Sequence, residues 1–359
     1  MSIHFHSLVV KEVRTETPSC VSVSFIVPPA LEKVFAFTQG QNITLKAIIN
    51  GQDQRRSYSI CTAPHEKELR VAIKKVEQGL FSTYANQHLK AGDSIEVLPP
   101  TGKFFTPLNA QHKKNYLAFA AGSGITPILS IIKTTLQQEP QSHFTLVYGN
   151  QSRNSIIFFE ELEGLKNKYI NRFHLIHILS REKTDAAINY GRIDVDKCNT
   201  LSEKLLNLAA IDEAFICGPE AMIFEVSNWL QQKGLSKKQI HFELFTTPGV
   251  KSSFNKNTTT VAVNSNTSKV TIRLDGRSTS FNLPQQGSPV LEAALQQGLD
   301  LPYACKGGVC CTCRAKLISG QVTMDVNWAL EPEEVAQGFI LTCQSHPITE
   351  EVVIDFDVR

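Results

Sequence analysis

Between residues 5 and 98 the apolar positions fall in short runs broken by turn-forming residues. VSVSFIV (21–27), NITLKAII (42–49), LRVAIKKV (69–76) and SIEVL (94–98) read as strands, with Asn50-Gly51 and Ala91-Gly92-Asp93 at turns. Regularly spaced short strands predict an antiparallel barrel or sandwich, because each strand must bury one face against another. One stretch, FSTYANQHL (81–89), reads as a helix instead. From Tyr116 the pattern changes. NYLAFAA (115–121), HFTLVYGN (143–150), RFHLIHILS (172–180), DEAFICGP (212–219) and IHFELF (240–245) are apolar and strand-like. ITPILSIIKTTLQQ (125–138), FFEELEGLKNKY (158–169) and AMIFEVSNWLQQKG (221–234) alternate with them and have helical spacing. Such alternation predicts a parallel sheet covered on both faces. Residues 246–269 are rich in Ser, Thr and Asn and lack apolar periodicity, which predicts an interdomain linker. Beyond it, KVTIRLDGRSTSFNL (269–283) predicts a hairpin turning at Asp275-Gly276. VLEAALQQ (290–297) predicts a helix with Ser288 as N-cap, Pro289 at its first position and Gly298 just past its end.

Composition narrows the class. The chain has 359 residues, 42% hydrophobic and 19% charged, which is globular material for two or three domains. The net charge of +2 carries no signature of nucleic-acid binding. No apolar run approaches the ~20 residues of a membrane span, so no membrane partner is expected. The start, MSIHFHSLVV, lacks a basic stretch followed by an apolar core, so the expected compartment is the cytoplasm. Charge is uneven: residues 1–247 carry a net +4 and residues 267–359 a net −4, an asymmetry compatible with either electrostatic docking or plain surface variation. The nine cysteines are uneven too, with Cys305, Cys310, Cys311 and Cys313 crowded together and Cys343 following. In a cytosolic chain that crowding points to metal or redox chemistry rather than disulfides.

Cys305, Cys310 and Cys313 form C-x4-C-x2-C, and Cys343 supplies a distant fourth thiolate. Plant-type [2Fe–2S] ferredoxins use this spacing, and Gly307 and Gly308 let backbone N–H groups approach the sulfurs. A structural zinc site is the competing reading, though zinc usually takes paired C-x2-C knuckles. Cys311 fits no ligand slot and reads as a small apolar filler, or as a stand-in where a neighbouring ligand is lost. The segment from Lys269 onward resembles a plant-type ferredoxin domain, which implies a β-grasp fold and a cluster held by Cys305, Cys310, Cys313 and Cys343.

A second constellation is Arg56-Ser57-Tyr58-Ser59. An Arg in a strand can pair with a pyrophosphate, and a Tyr two residues on shares its face and can cover a ring system. Alone this is weak, since surface Arg and packed Tyr are common. Gly79-Leu80-Phe81-Ser82 then opens a helix whose free N–H groups suit a phosphate. The pair of motifs resembles the flavin site of the ferredoxin–NADP reductase-like superfamily. The resemblance implies FAD, with Arg56 and Ser82 on its pyrophosphate, Tyr58 stacked on the isoalloxazine and Ser59 near N5. It also implies that Ile73 and Lys74 line the flavin.

A third constellation is Gly122-Ser123-Gly124 with Thr126-Pro127 after an apolar strand. Thr126 can cap the helix and Pro127 can open it. Pro127 replaces the third glycine of G-x-G-x-x-G, which disfavours a plain dinucleotide fold. The same superfamily carries G-S-G-I-T-P here, and Cys217-Gly218-Pro219 matches its C-G-P turn. The resemblance places Cys217 beside the nicotinamide, whereas a lone Cys at a strand end would otherwise be core packing. Ser180-Arg181 matches relatives specific for NADPH, since an Arg can pair with a 2′-phosphate. Glu182 follows directly and leaves NADH open. Glu243 and Phe245 fall where relatives reach back to the flavin and nicotinamide. His4, His6, His174 and His177 have no metal-ligand company and read as structural.

FHSLVV (5–10), RRSYSICTAP (55–64), AAGSGITPIL (120–129), AFICGPEAM (214–222), LPYACKGGVC (301–310) and VVIDFD (352–357) together resemble the reductase components of bacterial phenylacetyl-CoA epoxidases. The implied organisation is an FAD-binding barrel domain (1–108), a doubly wound NAD(P)-binding domain (112–247), a linker (248–266) and a ferredoxin domain (267–359). The implied function is electron transfer from NADPH through FAD and [2Fe–2S] to the oxygenase subunits of such a complex, with Tyr58, Ser59 and Cys217 at the hydride-transfer point. Service to another oxygenase, or to a hybrid-cluster-type iron protein, would leave the same motifs. A redox-responsive zinc module is the reading of another class.

Overall fold

A computed structural model describes residues 4–245 and 266–358. The expected linker 248–266 therefore lies, except for its last residue, outside the described residues. The chain divides into two compact units, one carrying a six-stranded and a five-stranded sheet and the other, C-terminal, a five-stranded and a two-stranded sheet.

The first sheet is built from β1 (His6–Thr17), β2 (Cys20–Ile26), β3 (Asn42–Ile49), β4 (Gln52–Ser59), β5 (Leu69–Lys74) and β6 (Ser94–Val97), with helix α1 (Leu80–Gln87) between the last two. Its order is β4-β3-β6-β1-β2-β5. An antiparallel bridge between Ile60 and Val71 brings the chain leaving β4 onto β5. First and last strands thus meet, closing the sheet into the expected barrel. Leu8, Val23, Ile43, Leu45, Val71 and Val97 fill its interior, and Phe81 of α1 plugs it.

The second sheet contains β7 (Asn115–Ala121), α2 (Ile125–Gln138), β8 (His143–Asn150), α3 (Phe159–Lys168), β9 (Phe173–Leu179), α4 (Val195–Lys204), β10 (Glu213–Gly218), α5 (Glu220–Gln232) and β11 (Ile240–Leu244). All strands are parallel, in the order β11-β10-β7-β8-β9. The period-two alternation is visible on β7. Tyr116, Ala118 and Ala120 join the core that holds Ile128 and Leu129 of α2. Leu117 and Phe119 join the one that holds Val226 and Trp229 of α5. The two sheets of this unit are bolted together. Lys133 of α2, almost fully buried, pairs with Glu66 beside the barrel (2.7 Å) and Glu161 of α3 (2.8 Å). Ser130 Oγ donates to the Thr62 carbonyl at 2.6 Å.

The C-terminal unit contains β12 (Thr267–Leu274), β13 (Arg277–Pro284), α6 (Val290–Gln296), β14 (Arg314–Ser319), β15 (Val322–Met324), α7 (Pro332–Ala336), β16 (Phe339–Leu341), β17 (Ser345–Pro347) and β18 (Glu351–Asp355). Five strands form a mixed sheet, β13-β12-β18-β14-β16, in which only β12 and β18 run parallel. Val290, Leu291 and Ala294 of α6 pack on Val270, Ile272, Val352 and Ile354, the helix-on-sheet core of a β-grasp.

Three local readings change. Gly124, not Thr126, is the N-cap of α2, and Thr126 Oγ1 instead donates to the Ser123 carbonyl at 3.0 Å. Pro289, not Ser288, is the N-cap of α6, because its extended backbone (φ −57°, ψ 155°) delays the helix by one residue. Helix α4 has no counterpart in the apolar pattern, since only Cys198 and Leu201 of its ten residues are buried. No helix among the described residues is long and apolar enough to cross a membrane.

Candidate functional site

The Cys305–Cys313 loop follows α6 and closes on the turn holding Cys343. Two hydrogen bonds stitch these loops: Thr342 N and Thr342 Oγ1 both donate to the Cys313 carbonyl (3.2 and 2.9 Å). The loop wraps tightly because Lys306 and Gly308 adopt left-handed backbone (φ 51° and 73°). A Cβ on Gly308 would lie 2.8 Å from the Val326 carbonyl, so only glycine fits there. Cys305 and Cys310 sulfurs are 3.1 Å apart. Gly307 N donates to the Cys305 sulfur at 3.3 Å. The Cys310 and Cys343 thiols and the Gly307 and Val309 N–H groups hold the Cys305 thiol down at about 2. Cys310 is pushed up by that anionic neighbour, and Cys343 by its contacts with Cys305 and Cys313. Sulfurs gathered like this cannot all ionise unless cations lie among them. The donor set fits a [2Fe–2S] cluster, which takes four thiolates. Among the described residues no group of three or more His, Cys, Asp or Glu is arranged for a metal ion. In a [2Fe–2S] cluster each iron takes only two of the four protein ligands, so the demand is different. Cys311 turns its thiol to the Ala329 carbonyl (3.2 Å) and packs against the core.

Strand β4 carries Arg56, Ser57, Tyr58 and Ser59, and β5 ends in Ile73 and Lys74. Helix α1 starts at Leu80 with Gly79 as N-cap and no side-chain cap, so its first N–H groups are open to an anion. The Ser82 hydroxyl braces that turn, accepting from Val76 N and donating to the Gly79 carbonyl, both at 3.1 Å. Phe81 is a core side chain, and the half-buried Tyr58 lies against it with ring centroids 5.8 Å apart. This strand and turn fit a flavin: a half-buried aromatic face, an open helix N-terminus and a hydroxyl at the strand end.

The parallel sheet offers a cavity of about 650 Å³ at the carboxyl ends of its strands. It opens beside β7, where strand order reverses and such folds bind nucleotides. Gly122, Ser123, Ser180, Arg181, Gly218, Pro219 and Phe245 line it, and Lys74 enters from the barrel. Gly124, Thr126 and Cys217 lie behind this wall. Cys217 is fully buried among core residues, and burial pushes its thiol up, so it presents a neutral group. Gly124 packs against β10: a Cβ there would sit 2.0 Å from the Cys217 carbonyl oxygen.

The barrel and the parallel sheet meet at Ser59, whose hydroxyl donates to Glu243 Oε2 at 2.7 Å. Glu243 pairs in register with Cys217. As a residue Glu243 is half-buried, but its carboxyl group is enclosed. Burial raises it to about 7, against the opposing hydrogen bonds from Ser59 and Asn42.

Sequence reasoning missed Arg192 and Asn150 in the nucleotide cavity. Arg192 follows Gly191, whose φ of 117° marks a turn. Asn150 ends β8 with its side-chain Nδ2 buried and without a partner. No spacing rule links either to the glycine turn, because the fold brings them there from separate segments.

Residues 7–106 match the family described as oxidoreductase FAD-binding domain, 119–228 the oxidoreductase NAD-binding domain and 272–347 the 2Fe-2S iron-sulfur cluster binding domain. The chain is 47% identical to a subunit of the 1,2-phenylacetyl-CoA epoxidase of Escherichia coli (strain K12), over 99% of this chain and 98% of that one. It is 31% identical to the ferredoxin reductase component of 3-ketosteroid-9-alpha-monooxygenase of Rhodococcus rhodochrous, over 97% and 96%. Its fold is similar to that of phthalate dioxygenase reductase, with a TM-score of 0.59, 24% identity and 98% of each chain covered.

Proposed function

The chain belongs to the family of oxygenase reductase components that includes its phenylacetyl-CoA epoxidase relative, and from that premise we propose that it carries electrons from NADPH through FAD and a [2Fe–2S] cluster to the di-iron oxygenase subunits that epoxidise the ring of phenylacetyl-CoA. It is an oxidoreductase with FAD-binding, NAD-binding and 2Fe-2S domains. When bound, the flavin accepts a hydride and releases its electrons singly, and the cluster carries one at a time. Arg56 and the open N-terminus of α1 hold the pyrophosphate. Tyr58 covers the ring system, and Ser59 stands at its reacting edge. The four cysteines hold the cluster. We place this relay in the cytoplasm.

The observation that carries the reading is the Ser59–Glu243 hydrogen bond, which ties the end of the flavin strand to the nucleotide-binding sheet. NADPH is favoured because Arg181 and Arg192 both line the nucleotide cavity. Glu182, the carboxylate that would favour NADH, instead accepts from Arg153 N at 2.8 Å. The test is coupled turnover with purified epoxidase oxygenase subunits, with NADPH and NADH in parallel. Phenylacetyl-CoA-dependent NADPH oxidation that requires this chain is the expected result. Reduction of cytochrome c without any coupled turnover would keep the reductase and reject the partner.

Glu243 makes the first half-reaction pH-dependent. Below about 7 its carboxyl is neutral, and above about 7 it is anionic. A hydride brings one negative charge into the site, so a carboxylate bonded to Ser59 opposes it. Single-turnover bleaching of the flavin by NADPH should therefore slow as pH rises through about 7, by roughly tenfold, the equivalent of one pKa unit of interaction. Glu243→Gln should give a flat profile. The same break in that variant would place the ionisation elsewhere.

A further inference from the structure

We propose that Arg55 is a positioning residue for the electron step from flavin to cluster: it fixes the segment that enters the Cys305 loop to the strand segment that carries Arg56. This rests on the flavin reading of Arg56 and Tyr58 given above. In that step the reduced flavin loses one electron and an iron of the cluster gains it, with no bond made or broken between protein groups. Arg55, the first arginine of RRSYS, is not one of the flavin residues. Yet it is only 5% exposed, and a cation is rarely buried unless it is paired. Three residues of β4, Arg55–Ser57, count with the C-terminal unit, as does Phe5.

The contacts of Arg55 within that unit account for its burial. Its Nη2 donates to Asp300 Oδ1 at 2.8 Å and its Nη1 to the Leu301 carbonyl at 3.1 Å. The guanidinium carbon lies 4.3 Å from the centre of the Tyr303 ring and 5.1 Å from that of Phe5. A planar guanidinium can stack and donate at once, whereas an ammonium has neither a flat face nor a fork. Leu301 is fully buried, so its carbonyl oxygen needs a donor, and Arg55 supplies one. Asp300, Leu301 and Tyr303 lead directly into Cys305. Lys306, just past that cysteine, holds its Nζ 4.8 Å from the centre of the same Tyr303 ring. Tyr303 thus ties Arg55 to both flanks of a cluster ligand. On the flavin side, Arg56 Nη1 donates to the Arg55 carbonyl at 2.7 Å. One residue therefore receives the pyrophosphate arginine on its backbone and grips the cluster loop with its side chain. The Asp300 side chain is 73% exposed, so water screens that arm and the stack and carbonyl bond carry most of the hold.

The test is single-turnover reduction of the full-length holoprotein by NADPH, with flavin and cluster absorbance followed separately. Arg55→Ala should leave flavin bleaching within about 2-fold of the parent and slow cluster bleaching about 30-fold, inside the ~100-fold that a 1 Å misplacement can cost. Asp300→Asn should slow it by less than about 5-fold, the equivalent of an exposed ion pair. Arg55→Lys should restore little of the rate, because charge without the flat fork does not hold the loop. Backbone hydrogen exchange over residues 299–304 should rise in Arg55→Ala while the cluster spectrum stays that of the parent. Should Arg55→Ala fail to fold, Tyr303→Leu at the other end of the stack decides, with cluster bleaching slowed about 5-fold or more, as for a buried cation–π contact. Cluster bleaching at the parent rate in these variants overturns the proposal. So does full rescue by Arg55→Lys, or a drop in cluster potential large enough to explain the slower step, since either would make Arg55 a charge and not a positioning group. A parent protein purified without flavin absorbance would remove the flavin reading itself.

Discussion

Cys313→Ser should leave a yellow protein that still oxidises NADPH with ferricyanide but reduces cytochrome c at least ~100-fold more slowly, a loss beyond the ~10–100-fold typical of removing an outer-shell partner. Cys313 is 1% exposed, so a serine there meets the same backbone, and the Thr342 contacts go to the Cys313 carbonyl, which the substitution keeps. What is lost is a thiolate. A serine hydroxyl does not ionise under conditions where a crowded cysteine does, and three sulfurs cannot complete a four-thiolate cluster. Cys311 does not replace it, because its thiol is turned away to the Ala329 carbonyl. The measurement pairs the visible spectrum of the cluster with the two acceptors. Full cluster absorbance with unchanged cytochrome c reduction would show that Cys313 is no ligand.

The second large effect is expected at Gly124. An alanine there would place its Cβ 2.0 Å from the Cys217 carbonyl oxygen, 2.4 Å from its carbon and 2.8 Å from Gly218 N. All three are backbone atoms and cannot rotate away, so α2 and β10 must separate. Gly122 and Ser123, which lead into α2, and Gly218, which ends β10, line the nucleotide cavity. A displacement of about 1 Å can cost ~100-fold in rate, and kcat/KM for NADPH should fall by at least that much. Overpacking of this severity should also cost about 3 kcal/mol, which for a domain of this size lowers Tm by roughly 6–12 °C. Flavin content should survive, since the residues proposed to hold the flavin stand on the other sheet. Gly164→Ala is the matching control: it lies in α3 with nothing within 4 Å, and should be neutral or slightly stabilising. Wild-type Tm and kcat/KM in Gly124→Ala would refute the close packing on which this rests.

The parts of the molecule legible in the sequence are those where the backbone itself makes the demand. A tight wrap around sulfurs needs Gly308, and the contact of α2 with β10 needs Gly124, so these motifs survive as local patterns. The two-fold alternation of β7 is legible for the same reason, because each face has its own core. Helix α4 is not, since it buries too few side chains to show a period; Asp194, which accepts from Lys197 N at 2.9 Å, is the local sign of its start. The state of Glu243 is invisible in IHFELF, because it depends on enclosure by a strand 184 residues earlier. Arg192 and Asn150 are missed on the same ground, being neighbours only in the folded chain.

The Lys133 junction bears on how this molecule can be recombined. A gene fusion cut between the barrel and the parallel sheet would look clean in sequence, since residues 7–106 and 119–228 match separate families. It would nonetheless cost Lys133 one of its two carboxylates, Glu66, leaving it Glu161 alone, and would cost Ser130 its acceptor, the Thr62 carbonyl. A chimera that takes its nucleotide-binding half from this chain therefore keeps the whole junction only if it takes Glu66 and its turn as well. The unit that evolution can exchange here is larger than the unit that sequence families delimit.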